Sequence, residues 1–366
     1  MPTLKKIVIQ NFRNIALGEL EFSPNVNCIT GNNGEGKTNL IDAIYYLSMT
    51  KSPYGASERF NIRHGEQSCS IGGLYAMPGG IEARFSISVT ERGEKRVKRD
   101  EKPYGKLSAH VGILPVVMVS PSDIEMVSDS GEERRKFVNA VLSQMDREYL
   151  SDLQQYSRLL MQRNKLLKEG PFDEDLLYAF DVRMSALADK VFARRNDFIT
   201  ELVPVVQQYC SLISDGSEQV GIEYRSDLQN ASLEKLLLER REKDRILKFT
   251  TAGIQRDDFI FMLDGYPIRR CGSQGQQKSF LVALKFAQYE IMKRRYGYAP
   301  TLLLDDLFDK LDKGRVTNLL RMVSGQDFGQ IFLSDSNKVR LSDVVDAVTS
   351  DSAYFEARGG TFSKWR

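Results

Sequence analysis

The sequence predicts an α/β fold that is interrupted by a helical insertion, and three observations carry that expectation. An apolar run, Val26 to Thr30, opens into a glycine-rich loop and then into a helical pattern from Lys37 to Ser48. A second apolar run, Thr301-Leu302-Leu303-Leu304, ends in the acid pair Asp305-Asp306, and a third follows at Ile331-Phe332-Leu333. Between them, from about Glu132 to Arg245, the chain turns charged and leucine-rich with a helical period.

In chain order, Leu4 to Gln10 reads as a strand with Ile7 and Ile9 on one face, and Leu20-Glu21-Phe22 as its partner. Leu40, Ile41, Ile44, Tyr45 and Leu47 fall on one side of the first helix. Ser70 to Leu74 and Ile81 to Val89 read as antiparallel strands around the turn Pro78-Gly79-Gly80. A charged patch runs from Glu91 to Lys106, followed by the buried-looking strand Val116 to Val119. In the insertion, Leu150, Leu153, Tyr156 and Leu160 share one face, as do Leu176, Leu177, Phe180, Met184 and Leu187. Breaks are expected at Gly170-Pro171 and near Asp215-Gly216-Ser217. The heptads are too irregular for a long coiled-coil arm. The expected organisation is one head made of 1–131 and 255–366, with a helical lobe at 132–254 between its halves.

Composition narrows the function. The 366 residues carry 51 Lys+Arg against 49 Asp+Glu, a formal charge of +2, and 42% of them are hydrophobic. These values exclude a disordered tail, a collagen, a coiled-coil rod and a disulfide miniprotein. Near-neutrality speaks against a histone-like coating protein, although a local basic face can sit on a neutral whole. Cys28, Cys69, Cys210 and Cys271 are scattered, and with only His64 and His110 beside them no zinc pattern forms. They are expected to be reduced thiols, mostly buried. Without an N-terminal apolar segment or a run of about 20 apolar residues, the expectation is a cytoplasmic protein with no membrane partner.

The loop Gly31-Asn32-Asn33-Gly34-Glu35-Gly36-Lys37-Thr38 fits G-x-x-x-x-G-K-[ST] at every fixed position. Gly34 and Gly36 let backbone N–H groups turn inward around a phosphate. Lys37 sets a point charge against the β and γ phosphates, and Thr38 offers its hydroxyl to Mg²⁺. The helix that starts there adds the positive end of its dipole. In such a fold the strand ending in Asp305-Asp306 is expected to lie beside the loop's strand. Asp305 is then the metal candidate, and Asp306 the group that orients or deprotonates the attacking water.

A second glycine motif, Cys271-Gly272-Ser273-Gln274-Gly275-Gln276-Gln277-Lys278-Ser279, opens a helix running to about Tyr296. Its Ser273, Gly275 and Gln276 resemble the signature motif of ABC-type ATPases, and Phe308-Asp309-Lys310-Leu311-Asp312 resembles their D-loop. More closely, the chain resembles the bacterial RecF family. The resemblance rests on Ile9 to Ile15, Gly31 to Thr38, Asn39 to Tyr45, Ser120 to Asp123, Arg134 to Phe137, Gln162 to Asn164, Gly253 to Asp258 and Ser273 to Lys278.

That resemblance implies an ABC-type P-loop ATPase head (lobe I) with a smaller helical second lobe (lobe II) and no long coiled coil. It implies ATP with Mg²⁺, and an ATP-dependent homodimer in which Ser273, Gly275 and Gln276 meet the γ-phosphate held by the other copy. It further implies slow DNA-stimulated hydrolysis, work at single-strand gaps or single/double-strand junctions in replication and recombinational repair, and a RecR-type mediator that helps load the recombinase RecA. Arg13, after the first strand, is then expected to touch nucleotide phosphates.

Three departures from the family pattern are visible: Ser122 for a glutamate, Ile254-Gln255 for Pro-His, and Asp306 for the longer glutamate common in ABC ATPases. No histidine stands near Ser334-Asp335-Ser336, where transporter ATPases carry a switch histidine, which speaks against a transport subunit. The basic clusters Lys95 to Lys102, Arg134 to Lys136, Arg194-Arg195 and Lys293 to Arg295 could neutralise DNA phosphates or serve as ordinary solvated and capping charges. Aromatics are not interleaved with them, which favours backbone recognition over base stacking.

Overall fold

A computed structural model of the chain describes residues 1–55, 57–128, 131–169, 173–214, 216, 218–306, 328–347 and 349–366. The segment before the insertion runs β1 (Thr3–Phe12), β2 (Ile15–Glu21), β3 (Val26–Thr30), α1 (Lys37–Met49), β4 (Ser68–Ala76), β5 (Glu82–Thr90), β6 (Lys95–Arg99), β7 (Lys102–Pro103) and β8 (Val116–Val119). The middle runs α2 (Glu125–Ser128), α3 (Gly131–Met145), α4 (Arg147–Glu169), α5 (Glu174–Ser214), β9 (Val220–Arg225), α6 (Leu233–Glu239), α7 (Arg241–Leu247), β10 (Asp258–Leu263), β11 (Tyr266–Pro267) and α8 (Ile268–Cys271). The last part runs α9 (Gln274–Tyr296), β12 (Thr301–Leu304), β13 (Ile331–Asp335), α10 (Lys338–Asp346), β14 (Ser352–Arg358) and β15 (Thr361–Lys364). The contacts divide the chain into two units. One is Met1–Ile124, Leu212–Asp215 and Gln274–Arg366, and the other is Glu125–Ser211 and Gly216–Ser273.

The first unit holds two six-stranded sheets. One is antiparallel in the order β2-β1-β4-β5-β6-β7, and the other runs β15-β14-β3-β13-β12-β8 with β14, β3, β13, β12 and β8 parallel. Parallel strands are covered on both faces and read as continuous apolar runs, and every residue of β3, β8 and β13 is buried. The antiparallel strands alternate instead, so Ile7 and Ile9 of β1 face in while Val8 faces out. The core between the sheets joins Leu4, Phe12 and Phe85 of one to Ile29, Leu303, Phe332 and Phe355 of the other, with Leu40, Ile44 and Leu47 of α1 packed between. Buried Gln330 ties the layers together: its amide bonds both polar groups of Leu4 at 2.8 Å.

The carboxylate strand does not lie beside the loop's strand, as was expected. β13 is inserted between β3 and β12, pairing Leu333 with Cys28 on one side and with Leu304 on the other. The reach to Asp305 is made by Thr38, the second residue of α1, across the end of β13.

Two other expectations change. The charged patch at 91–106 contains β6, whose Val97 is buried against Ile87 of β5. The second unit begins at 125 and ends at 273, where the sequence suggested 132 and 254. The reason is β10, which pairs with β9 from Asp258↔Arg225 to Leu263↔Val220. The second unit is therefore helical with a three-stranded sheet, β11-β10-β9. Its 41-residue α5 buries Leu177, Asp181, Met184, Ala188, Val191, Arg195, Phe198 and Leu202. That spacing of three and four is a regular seam, hidden in the sequence because Asp181 and Arg195 occupy two of its positions.

Candidate functional site

The loop 31–36 leaves the end of β3 in the middle of the parallel sheet, with Asn32, Asn33 and Gly34 exposed. All three of its glycines have positive φ, and at two of them a Cβ would also meet a close neighbour. Gly31 has φ +152°, and a Cβ would lie 2.5 Å from the carbonyl oxygen of Ala357. Gly36, the residue before α1, is left-handed at φ +108°, and a Cβ would stand 3.0 Å from the Asn14 amide. Gly36 gives α1 no side-chain cap, and the first turn of α1 carries no acid. The positive end of the helix dipole therefore faces the loop unneutralised by its own turn.

Lys37 is buried and its ammonium donates to the carbonyls of Gly31 at 2.8 Å and Asn32 at 3.1 Å. Two of its three donors thus hold the loop's shape. Glu35 braces the loop from outside: its carbonyl accepts from Gly360 N–H at 2.9 Å and its carboxylate from Gly359 N–H. The turn between β14 and β15 is in this way attached to the loop.

Asp305 is 1% exposed. Its Oδ1 accepts from Ser334 Oγ at 2.6 Å and Thr38 Oγ1 at 3.2 Å, and its Oδ2 from Tyr54 OH at 3.0 Å. The other buried acids among the described residues are Asp42, Asp152, Asp181, Asp244, Asp257 and Asp335. Each of those six has an arginine within 4 Å. Asp305 alone has no lysine or arginine within that distance among the described residues. A desolvated carboxylate without a counter-charge costs several kcal/mol, on the order of the penalty for any buried ion. Its oxygen and the Thr38 hydroxyl form a hard donor pair of the kind Mg²⁺ takes, with phosphates and water completing the shell. No group of three His, Cys, Asp or Glu forms a cage among the described residues, so the donors suit a cation shared with a phosphate ligand.

Asp306 follows in the left-handed region at φ +44°, with its N–H donating to Ser334 Oγ at 3.0 Å. Arg13 does not reach the loop. Its guanidinium pairs with buried Asp42 at 2.7 Å, donates to Ser52 Oγ at 2.8 Å and faces Asn39 at 3.4 Å. Burial pushes the Asp42 carboxyl up to about 6 despite the opposing pull of Arg13. The neighbour Asn14 is the residue that meets the loop, donating to the Gly34 carbonyl at 3.2 Å and accepting from Asn39 at 2.7 Å. Ser273 is exposed and directly precedes α9, with Gly275 exposed and Gln276 half-buried in its first turn. The segment Phe308 to Asp312 lies outside the described residues.

Sequence reasoning missed Asn14, Ser334 and Tyr54 as site residues. Ser334 carried a faint signal, a small polar residue at the end of an apolar strand. Tyr54, in the turn after α1, carried none. In the basic clusters of the second unit, three arginines are paired with acids of that unit, while Lys136 is exposed. Arg134 pairs with Asp258 at 2.8 Å, Arg195 with Asp257 at 2.5 Å, and Arg194 with Asp146, Glu148 and Asp152. Lys95, in the first unit, is half-buried and paired with Glu58. His110 is fully buried, with Nε2 2.7 Å from the Leu47 carbonyl and its pKa lowered by burial. Cys28, Cys69 and Cys210 are buried and Cys271 is exposed. No helix among the described residues is long and apolar enough to cross a membrane.

The loop, the acid at the end of a parallel strand and the second, antiparallel sheet define a P-loop head of the ABC/SMC type. The chain belongs to the RecF/RecN/SMC N-terminal domain family, whose pattern it matches over residues 3–351, and within that family to the RecF proteins. It is 42% identical over 362 residues to the DNA replication and repair protein RecF of Bacteroides fragilis (strain YCH46), covering 99% of this chain and 98% of that one. It is 39% identical over 358 residues to the RecF of Porphyromonas gingivalis (strain ATCC 33277), with 98% of both chains covered. A solved structure of the recombination mediator protein RecF-ATP in the RecFOR pathway superposes with a TM-score of 0.90 at 29% identity, covering 100% of this chain and 98% of that chain. The Smc head domain of Pyrococcus furiosus, at 14% identity and a TM-score of 0.58, shares the fold.

Proposed function

We propose that this chain is an ATP-dependent DNA-binding protein of replication and recombinational repair, a weak DNA-dependent ATPase that closes as a dimer on gapped DNA. The observation that carries this reading is the buried Asp305, the one buried acid without a basic partner among the described residues, facing Thr38 at the mouth of a phosphate loop. Residues 31–38 cradle the triphosphate, and Lys37 turns from the loop carbonyls toward the β and γ phosphates. Thr38 and Asp305 hold Mg²⁺, which supplies charge neutralisation at the transferring phosphoryl group. Asp306 orients the attacking water. Arg13 acts on the loop from behind, through Asn39 and Asp42, in place of a direct phosphate contact.

Ser273, Gly275 and Gln276 stand at an exposed helix start, open to the γ-phosphate of a second copy. ATP then bridges two chains, and hydrolysis parts them. The DNA partner is a gap or a single/double-strand junction, and the protein partner is a RecR-type mediator. Relatives that are RecF proteins at 42% identity, and a RecF-ATP structure of the RecFOR pathway, support the same reading.

Sizing by light scattering with and without ATP, on gapped and blunt DNA, tests it. The wild-type chain should double in mass with ATP, most strongly with gapped DNA. Lys37→Arg should stay monomeric, because a planar guanidinium replaces a compact ammonium in a tight loop. A Lys37→Arg chain that still dimerises with ATP would sink the mechanism.

A further inference from the structure

Tyr54 occupies a position that phosphate binding alone does not explain. It lies in the turn after α1, half-buried, and its hydroxyl donates to Asp305 Oδ2 at 3.0 Å. The backbone is also fixed: Tyr54 N–H donates to Ser52 Oγ at 3.1 Å, and Ser52 in turn donates to Asp42 at 2.9 Å and accepts from Arg13. The Arg13 guanidinium sits 5.7 Å from the centre of the Tyr54 ring. The phenol is therefore held on three sides, and its proton is directed at one carboxylate oxygen.

An aspartate carboxylate rotates easily about its last torsion. Its two oxygens offer about four acceptor sites. Ser334 and Thr38 both bond Oδ1, and they leave the plane of the group free to tilt about that atom. Among the described residues only Tyr54 bonds Oδ2. Ser334 on one oxygen and Tyr54 on the other together fix the plane. When Thr38 turns its oxygen to a cation, the position it vacates on Oδ1 is then already aimed. Partners that orient a ligand in this way are worth about 10- to 100-fold in metal affinity.

We infer that Tyr54 is a positioning residue for divalent-cation binding: its hydroxyl fixes the Asp305 carboxylate from the side opposite Ser334. The inference rests on the proposed role of Asp305 as a metal ligand. Two variants separate the two claims.

The measurement is the affinity of the whole chain for a fluorescent N-methylanthraniloyl ATP, taken in MgCl₂ and again in EDTA, without any assay of turnover. The ratio of the two affinities reads the cation's contribution alone. In Tyr54→Phe, which keeps the ring and removes one oxygen, the ratio should fall about tenfold while the affinity in EDTA stays within about twofold of wild type. Asp305→Asn should reduce the ratio to near one. If Asp305→Asn does so and Tyr54→Phe keeps the wild-type ratio, the inference is overturned and the role of Asp305 stands. If both variants keep it, Asp305 is not a metal ligand and both claims fail. If Tyr54→Phe weakens binding equally in MgCl₂ and in EDTA, Tyr54 only packs, and the inference is overturned.

Discussion

In the second unit, Arg163 is wholly buried between Asp181 and Asp244, each at 2.7 Å, with Thr250 accepting a further bond at 2.9 Å and Arg241 3.8 Å from Asp181. In the first unit, Asp305 is as deeply buried, yet its described partners are three hydroxyls. The first balances charge, although Arg163 Nη2 and Asp181 Oδ2 make no hydrogen bond; the second gives both carboxylate oxygens a hydrogen bond and leaves the charge unbalanced. Two arginines against two aspartates form a closed set that joins α4, α5 and α7. Three hydroxyls around one aspartate form an open set, which orients the carboxylate and leaves its charge for something else to meet. A buried acid with an arginine is thus the mark of architecture in this chain, and a buried acid with hydroxyls alone is the mark of a site.

The largest effect expected from this contrast is in the closed set. Arg163→Ala leaves two buried carboxylates with only the distant Arg241, and should lower stability by about 3–5 kcal/mol. Urea unfolding of the full chain measures it. A loss below about 1 kcal/mol, the size typical of exposed pairs, would mean that water reaches these groups and that the contrast with Asp305 is false.

These networks also explain what could be read in the sequence. The loop 31–38, the strand ending in Asp305 and the helix after Ser273 were legible because each is local: a spacing, an apolar run, a cap. The order of the parallel sheet was not, since the placement of β13 between β3 and β12 depends on pairing between segments far apart in the chain. Arg134 and Arg195 looked like surface charge because their partners Asp258 and Asp257 are 124 and 62 positions away, and Arg194 because its partners Asp152 and Glu148 are 42 and 46 positions away. Arg13 shows the same limit at short range, where one residue decides whether the chain offers the loop a guanidinium or the Asn14 amide.

Asp42 is a buried acid with an arginine whose carboxyl is pushed up to about 6, first by burial, and burial also raises Asp181 and Asp257 beside their arginines. The sign follows from proton counting. Between the ordinary carboxylate range and about pH 6 the folded chain keeps this proton and the unfolded chain releases it. The contribution to stability is therefore fully present at low pH and is lost as the pH rises through about 6. A raised value of this size corresponds to on the order of 3 kcal/mol, at 1.36 kcal/mol per unit. Urea unfolding from pH 4.5 to 7.5 should show Asp42→Asn with a correspondingly weaker fall in stability with pH than wild type. Identical slopes in the two chains would mean that Arg13 fully offsets burial at Asp42.

The smallest effect has the most telling sign. Asp305→Asn removes a charge that no described basic residue balances, and keeps an oxygen for Ser334 and Thr38. The amide can donate toward the Tyr54 oxygen if the phenol turns. Without nucleotide or metal, the variant should be unchanged or more stable by about 1 kcal/mol, because replacing an uncompensated buried ion with a neutral isostere relieves desolvation. With Mg²⁺ and ATP at about 100 times the dissociation constant, wild type should gain about 2.7 kcal/mol, and the variant should gain only what metal-free nucleotide binding supplies. Melting of both chains in EDTA and in Mg²⁺-ATP gives the two differences directly. A variant several kcal/mol less stable in EDTA would mean that the fold already balances the charge of Asp305 internally, and the distinction between an open and a closed set would disappear.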